Sequence, residues 1–177
     1  MMKKIICAVA MVCIVHATTV SADELIVGDD APEMELAGSD GKIYKLSDFK
    51  DKKAVIIAWF PKAFTGGCKV ECESFRRSAD DLGKFNVVLL AASCDPLERN
   101  TAFANALKVD YPILSDPDGK VATAYGIFGK LRKYSSRTTF IVGKDGKLLS
   151  IDRKVDVENH GRDLVEKLGE LGVEMVE

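Results

Sequence analysis

The chain has almost no imbalance of charge: 25 lysines and arginines stand against 27 aspartates and glutamates, a formal net charge of −2. Without a basic surplus there is no electrostatic footprint for nucleic acid or for an anionic membrane, so neither is an expected partner. Also missing near the start is an apolar run of the about 20 residues that cross a bilayer; the stretch there, Ile5 to Val15, has eleven. Cysteine is sparse at five and histidine sparser at two, and no internal repeat or long linker interrupts the chain. With 47% hydrophobic and 29% charged residues, the 177 residues suffice for one domain whose core needs neither disulfides nor metal.

What is present begins with a leader. Lys3 and Lys4 precede the short apolar stretch, and small or polar residues follow it as far as Ser21 and Ala22. A basic start, a short apolar centre and a small-residue exit describe a secretory signal peptide over residues 1–22. The expectation is cleavage after Ala22 and export, to the periplasm or beyond, of a domain spanning residues 23–177 with no membrane attachment. That domain keeps 23 basic against 27 acidic residues, a net charge of −4, and loses Cys7 and Cys13. Cys68, Cys72 and Cys94 remain. An odd thiol in an exported protein points to reactivity, because purely structural cysteines in an oxidising compartment tend to be paired.

Beyond the leader, periodicity predicts alternating strands and helices. Met34 to Leu36 and Ile43 to Lys45 flank Ser39-Asp40-Gly41, a small hairpin. Ala54 to Phe60 and Asn86 to Ser93 are continuous apolar runs, as in strands buried on both faces. A single helix is expected between them, from about Gly67 to Leu82. Asp95-Pro96 opens another, carrying Phe103, Ala106 and Leu107. A short strand at Tyr111 to Leu114 and a short helix at Val121 to Tyr125 follow. Thr138 to Val142 and Lys147 to Ile151 then form a hairpin across Lys144-Asp145-Gly146, before a last amphipathic helix from Asn159 to Leu171. This order describes an α/β fold, a central mixed sheet with helices on both faces and an N-terminal β-hairpin. A thioredoxin-like arrangement fits, and so does a flavodoxin-like one. Ligands belong at the carboxyl ends of the parallel strands, where Cys68 and Cys94 both lie.

Residues 61–72, PKAFTGGCKVEC, concentrate the chemistry. Gly66-Gly67 places Cys68 at a helix start, where unpaired N–H groups and the positive end of the dipole favour a thiolate over a thiol. The glycines let backbone amides approach a substrate, Thr65 offers a hydroxyl to the sulfur or to a substrate oxygen, and Pro61 shields the site.

Pro61-x-x-x-Thr65-x-x-Cys68 resembles the active-site signature of the peroxiredoxins. The likeness extends through Glu71 and Phe75-Arg76, Ser93 to Pro96, Tyr111 to Ile127 and Arg137 to Lys147, covering most of Leu25 to Ile151. The segment is most similar to the bacterioferritin-comigratory or Q-type branch. The resemblance implies a thioredoxin-like fold and a thiol peroxidase acting on hydrogen peroxide or organic hydroperoxides, with a thioredoxin-like or other thiol reductant. It implies Cys68 as the nucleophile that becomes sulfenic acid, Thr65 as a peroxide-binding hydroxyl, Arg137 as the cation beside the thiolate and Pro61 as the shield. No metal, flavin or nicotinamide is implied, and a monomer or a homodimer would serve.

Two departures bear on mechanism. Gly66 stands where many of these relatives have proline. Cys72 lies four residues after Cys68, whereas those relatives that carry a resolving cysteine in the same helix usually place it five on. Residues four apart on a helix hold their Cβ atoms about 5–6 Å apart, against about 3.5–4.5 Å in a disulfide. An intact helix therefore keeps the two thiols unbonded, and oxidation is expected to unwind the turn. Cys94 is the competing resolver. In another class of function, Cys68, Cys72 and His160 resemble the copper ligands of Sco-type assembly factors. His160 beside Gly161 also reads simply as a solvated residue at a helix cap.

Overall fold

In the computed structural model, which describes residues 24–176, the segment Ala54–Trp59 (β3) forms the centre, with all six of its side chains buried. The leader reading of residues 1–22 lies outside the described residues. Before β3 come β1 (Glu35–Gly38) and β2 (Ile43–Lys45), paired antiparallel with Leu36 opposite Tyr44. Their turn works through Asp40, which accepts from the Tyr44 hydroxyl at 2.8 Å, while Gly41 takes a φ of +83°.

Helices α1 (Gly66–Arg77) and α2 (Ala79–Leu82) follow β3 and lead to β4 (Val87–Ser93), which pairs with β3 in parallel. Next are α3 (Leu97–Leu107), β5 (Ile113–Ser115) and α4 (Lys120–Ala124). A two-residue ribbon, β6 (Phe128–Gly129) with β7 (Tyr134–Ser135), precedes the hairpin of β8 (Thr138–Val142) and β9 (Leu148–Asp152), and α5 (His160–Glu170) closes the chain. The seven-stranded sheet runs β2-β1-β5-β4-β3-β8-β9. Its inner part, β4-β3-β8-β9 with α1 in the parallel crossover and α5 after the hairpin, is the thioredoxin arrangement and not the flavodoxin one.

Strand alternation divides the core in two. Val55, Ile57 and Trp59 join Leu90, Ala92, Phe140 and Tyr125 on one face, covered by α4. Ile56 and Ala58 turn to the other face, where α1, α2 and α5 contribute Phe75, Leu82, Leu164 and Leu168. On that same side α1 and α3 enclose Cys68, Cys72, Ala91, Phe103 and Leu107.

Several expectations are corrected. The single helix over 67–82 is two, broken at Ser78, where α5 docks: a Cβ on Gly161 would lie 2.4 Å from the Ser74 carbonyl oxygen and 2.7 Å from the Ser78 hydroxyl. Ala104, not Ala106, faces the core from α3, because the helix starts at Leu97 and turns Asn100, Phe103, Ala104 and Leu107 inward. The first half of β4 is only half-buried, since β5 pairs with it no earlier than Ala91. The ribbon of β6 and β7 had no counterpart in the sequence pattern.

Candidate active site

The turn between β3 and α1 carries Pro61 to Thr65, and its geometry is held from the next strand. Asp95, just past β4, accepts from the Ala63 N–H at 2.7 Å, and Arg99 donates to the Ala63 carbonyl at 2.9 Å while pairing with Asp95 at 3.2 Å. This clamp holds Phe64 at a φ of +65°, unusual for a bulky side chain, with the Arg99 guanidinium 5.4 Å from its ring centre. Thr65 occupies the N-cap position of α1 without a side-chain cap bond, so Cys68 falls in the helix's first turn, which contains no acidic residue.

Cys68 is 1% exposed. Arg137, immediately before β8, donates from Nη2 to its sulfur at 3.3 Å and from Nη1 to Glu71. Glu71 is fully buried, and its other oxygen lies 3.0 Å from His160 Nδ1. His160 Nε2 lies in turn 3.1 Å from the Thr139 hydroxyl. Burial pushes the imidazole down to about 4, against the upward pull of Asp152, Asp163 and Asp156. Glu71 already has its countercharge in Arg137, so a second cation would be uncompensated, and the ring is neutral.

Thr65 stands at the site's edge, exposed. Its hydroxyl donates to the Lys62 carbonyl at 2.9 Å rather than to the cysteine sulfur, leaving the oxygen free to accept from a bound O–H group. Pro61, Tyr134 and Arg137 line a cleft of about 620 Å³ that also takes in Lys130, Leu131 and Arg132.

The other two cysteines separate cleanly. Cys72, one turn on in α1, is fully buried beside Cys68, and burial pushes its thiol up to about 12. The Tyr111 hydroxyl donates to the Cys72 carbonyl at 2.8 Å, and the Tyr111 ring meets Phe75 edge-on. Cys94 shares the rim but not the face. With Ala92 it packs into the cluster on the far side of the sheet, and burial, aided by Asp116, pushes its thiol up to about 11. All three are free thiols.

The copper alternative loses its third ligand. His160 is 2% exposed rather than solvated, and both ring nitrogens are engaged away from the sulfurs. Among the described residues no group of three histidine, cysteine, aspartate or glutamate side chains is arranged to hold a metal ion.

Glu71, Asp95, Arg99 and Tyr111 were not singled out from the sequence as working parts, and His160 was offered there only as a copper ligand or a solvated cap residue. One signal was available for Glu71: it falls on the same helical stripe as Cys68, Cys72 and Phe75, where an acid is costly unless paired.

Comparison with known proteins agrees with this geometry. The chain is 31% identical to Peroxiredoxin Bcp of Bacillus subtilis over 151 residues, covering 82% of this chain and 96% of that protein. It is 32% identical to Peroxiredoxin Bcp of Escherichia coli over 142 residues, covering 77% and 90%. The crystal structure of Peroxidoxin BcpB from Mycobacterium tuberculosis superposes with a TM-score of 0.75 at 30% identity, over 81% of this chain and 96% of that one. The model of the AhpC/TSA family matches residues 27–151, and the chain belongs to that family.

Proposed function

We infer that the protein is a thiol-dependent peroxidase in which Cys68 is the nucleophile. The observation that carries this is the Arg137 guanidinium held on the Cys68 sulfur, in the first turn of α1 and away from bulk water. The thiolate attacks one peroxide oxygen, the O–O bond breaks, water or an alcohol leaves, and Cys68 becomes a sulfenic acid. Thr65 Oγ accepts from the hydroperoxide O–H, and Arg137 stabilises charge as it moves onto the leaving oxygen. The substrate is hydrogen peroxide or an organic hydroperoxide, and the cleft lined by Pro61 and Arg137 offers space beside the site for an organic group.

Cys72 is the resolving thiol in this reading. It lies on the same side of the sheet as Cys68, whereas Cys94 lies on the other. The first turns of α1 unwind, the Cys72 thiol displaces water from the sulfenic acid, and a dithiol reductant of the thioredoxin kind restores both cysteines. Both thiols belong to one helix, so the cycle closes within one subunit, in a monomer or a homodimer alike. Export following cleavage after Ala22 is part of the same proposal, and the mass of the protein recovered from the periplasm tests it; an intact amino terminus there would refute cleavage.

Hydrogen peroxide consumption with dithiothreitol or thioredoxin tests the function directly. The wild type is expected to turn over and Cys68→Ser to be inactive; a retained rate in Cys68→Ser would sink the assignment.

A further inference from the structure

His160 and Thr139 are far from the cysteine in sequence, yet they close a ring of contacts around it. Arg137 immediately precedes β8 and Thr139 is the second residue of that strand, and the side chains of both meet groups from the helices packed on one face of the sheet. Between them stand Glu71 from α1 and His160 from α5. Arg137 donates to one Glu71 oxygen, His160 Nδ1 lies 3.0 Å from the other, and His160 Nε2 lies 3.1 Å from Thr139 Oγ1.

The direction of each bond follows from the groups themselves. A carboxylate only accepts, so Nδ1 carries the proton and donates to Glu71. A neutral ring then leaves Nε2 as an acceptor, so the Thr139 hydroxyl donates to it. Thr139 thereby selects the tautomer that can hold Glu71. The depth of His160 is set by its neighbour: Gly161 lies too close to Ser74 for any Cβ, and its N–H donates to the Ser74 hydroxyl at 3.1 Å.

We propose that His160 and Thr139 are positioning residues for the peroxidase reaction, holding Glu71 by its second oxygen so that Arg137 stays aimed at the Cys68 sulfur. The proposal rests on the reading of Cys68 as the nucleophile. Without His160, one oxygen of a fully buried carboxylate has no partner, and Glu71 can rotate, carrying with it the guanidinium it anchors. Arg137 is partly exposed toward the cleft and has somewhere to go.

The test compares wild type, His160→Leu, His160→Asn and Thr139→Val in the full chain. Three readouts are taken: the single-turnover rate of Cys68 oxidation by hydrogen peroxide, the rate of its alkylation by iodoacetamide, and the melting temperature. Peroxide attack needs Arg137 both beside the thiolate and for the leaving oxygen, whereas alkylation, which expels iodide, needs it beside the thiolate alone. His160→Leu and Thr139→Val are expected to slow peroxide oxidation by roughly tenfold or more, with alkylation slowed much less. His160→Asn, whose amide reaches the position of Nδ1, is expected to recover most of the peroxide rate. Thr139→Val preserves shape, so it reports even where His160→Leu fails to fold. Wild-type peroxide oxidation in folded Thr139→Val overturns the proposal. So does an equal loss of both rates with no recovery in His160→Asn, which is what a merely structural role would produce. Failure of the nucleophile assignment would register separately, as activity retained in Cys68→Ser.

Discussion

Arg137 reaches across from the residue before β8 to place Nη2 3.3 Å from the sulfur of Cys68 on α1. The donor comes from one part of the chain and the sulfur from another, so their spacing depends on the packing of α1 against the β3–β8 pair. Arg137 Nη1 is committed to Glu71, which leaves Nη2 for the reacting atoms.

Replacing Arg137 by lysine keeps the charge and loses the fork that serves Glu71 and Cys68 together. Loss of one preorganised donor to a developing anion is worth about 10²–10³ in rate. Arg137→Lys is expected to slow single-turnover peroxide oxidation of Cys68 within about that range. Acid quench followed by mass analysis of the Cys68 peptide would follow it, and a less than threefold change would remove Arg137 from the chemistry.

Glu71 joins a cation and an imidazole inside an apolar cluster. Glu71→Leu would strand the imidazole N–H and leave Arg137 without its carboxylate, and removal of one partner of a buried ion pair costs about 3–5 kcal/mol, the lower end applying here because Arg137 is partly exposed. Urea unfolding is expected to show a loss of about that size, with a smaller loss for Glu71→Gln, which preserves shape and one acceptor oxygen. Equal losses would show that packing, not pairing, sets the stability here.

His160 makes stability pH-dependent in a stated direction. Its folded value, about 4, lies below the ordinary 6.5, so between those values the unfolded chain binds more protons. Its contribution is complete above about pH 6.5 and is lost as the pH falls through about 4, amounting to about 3 kcal/mol. The groups that bear on it are Glu71, Arg137, Asp152, Asp156 and Asp163. Unfolding free energies from pH 7 to 4 are expected to fall less steeply in His160→Asn than in wild type; identical slopes would contradict this.

Tyr111 bears on resolution. Its hydroxyl bonds the Cys72 carbonyl, within the helix that the proposed resolution by Cys72 requires to unwind. Tyr111→Phe removes about 1 kcal/mol of hydrogen bonding, so opening of α1 is expected to be about fivefold more frequent and the Cys68–Cys72 disulfide to form faster after peroxide. A peptide map identifies the product: Cys68 joined to Cys94 would refute Cys72 as resolver.

The sequence pattern was clear where a local period or a dense motif carried the information. The apolar run of β3, the turn at Gly41, the β8–β9 hairpin and the last helix were placed to within a residue or two, because each is specified by neighbours along the chain. The break at Ser78 was not visible there, since it coincides with the docking of Gly161, which is 83 positions away. The two-residue ribbon at Phe128 and Tyr134 is too short to leave a period.

Composition and the order of predicted elements placed the chain in the α/β class, and the PKAFTGGC motif with the later segments pointed to a thioredoxin-like fold and to Cys68 as the candidate centre, because element periods, helix starts and motifs are written in neighbouring residues. The three-dimensional packing decided which distant groups serve that cysteine. It turned Thr65 toward Lys62, set Cys94 on the far face by one step of strand alternation, and buried His160 against Glu71. A lone histidine at a helix start reads as solvated until the helix has a neighbour. Close contact between Gly161 and Ser74 supplies that neighbour, and burial then allows the imidazole one role, a neutral donor to a carboxylate already paired with arginine.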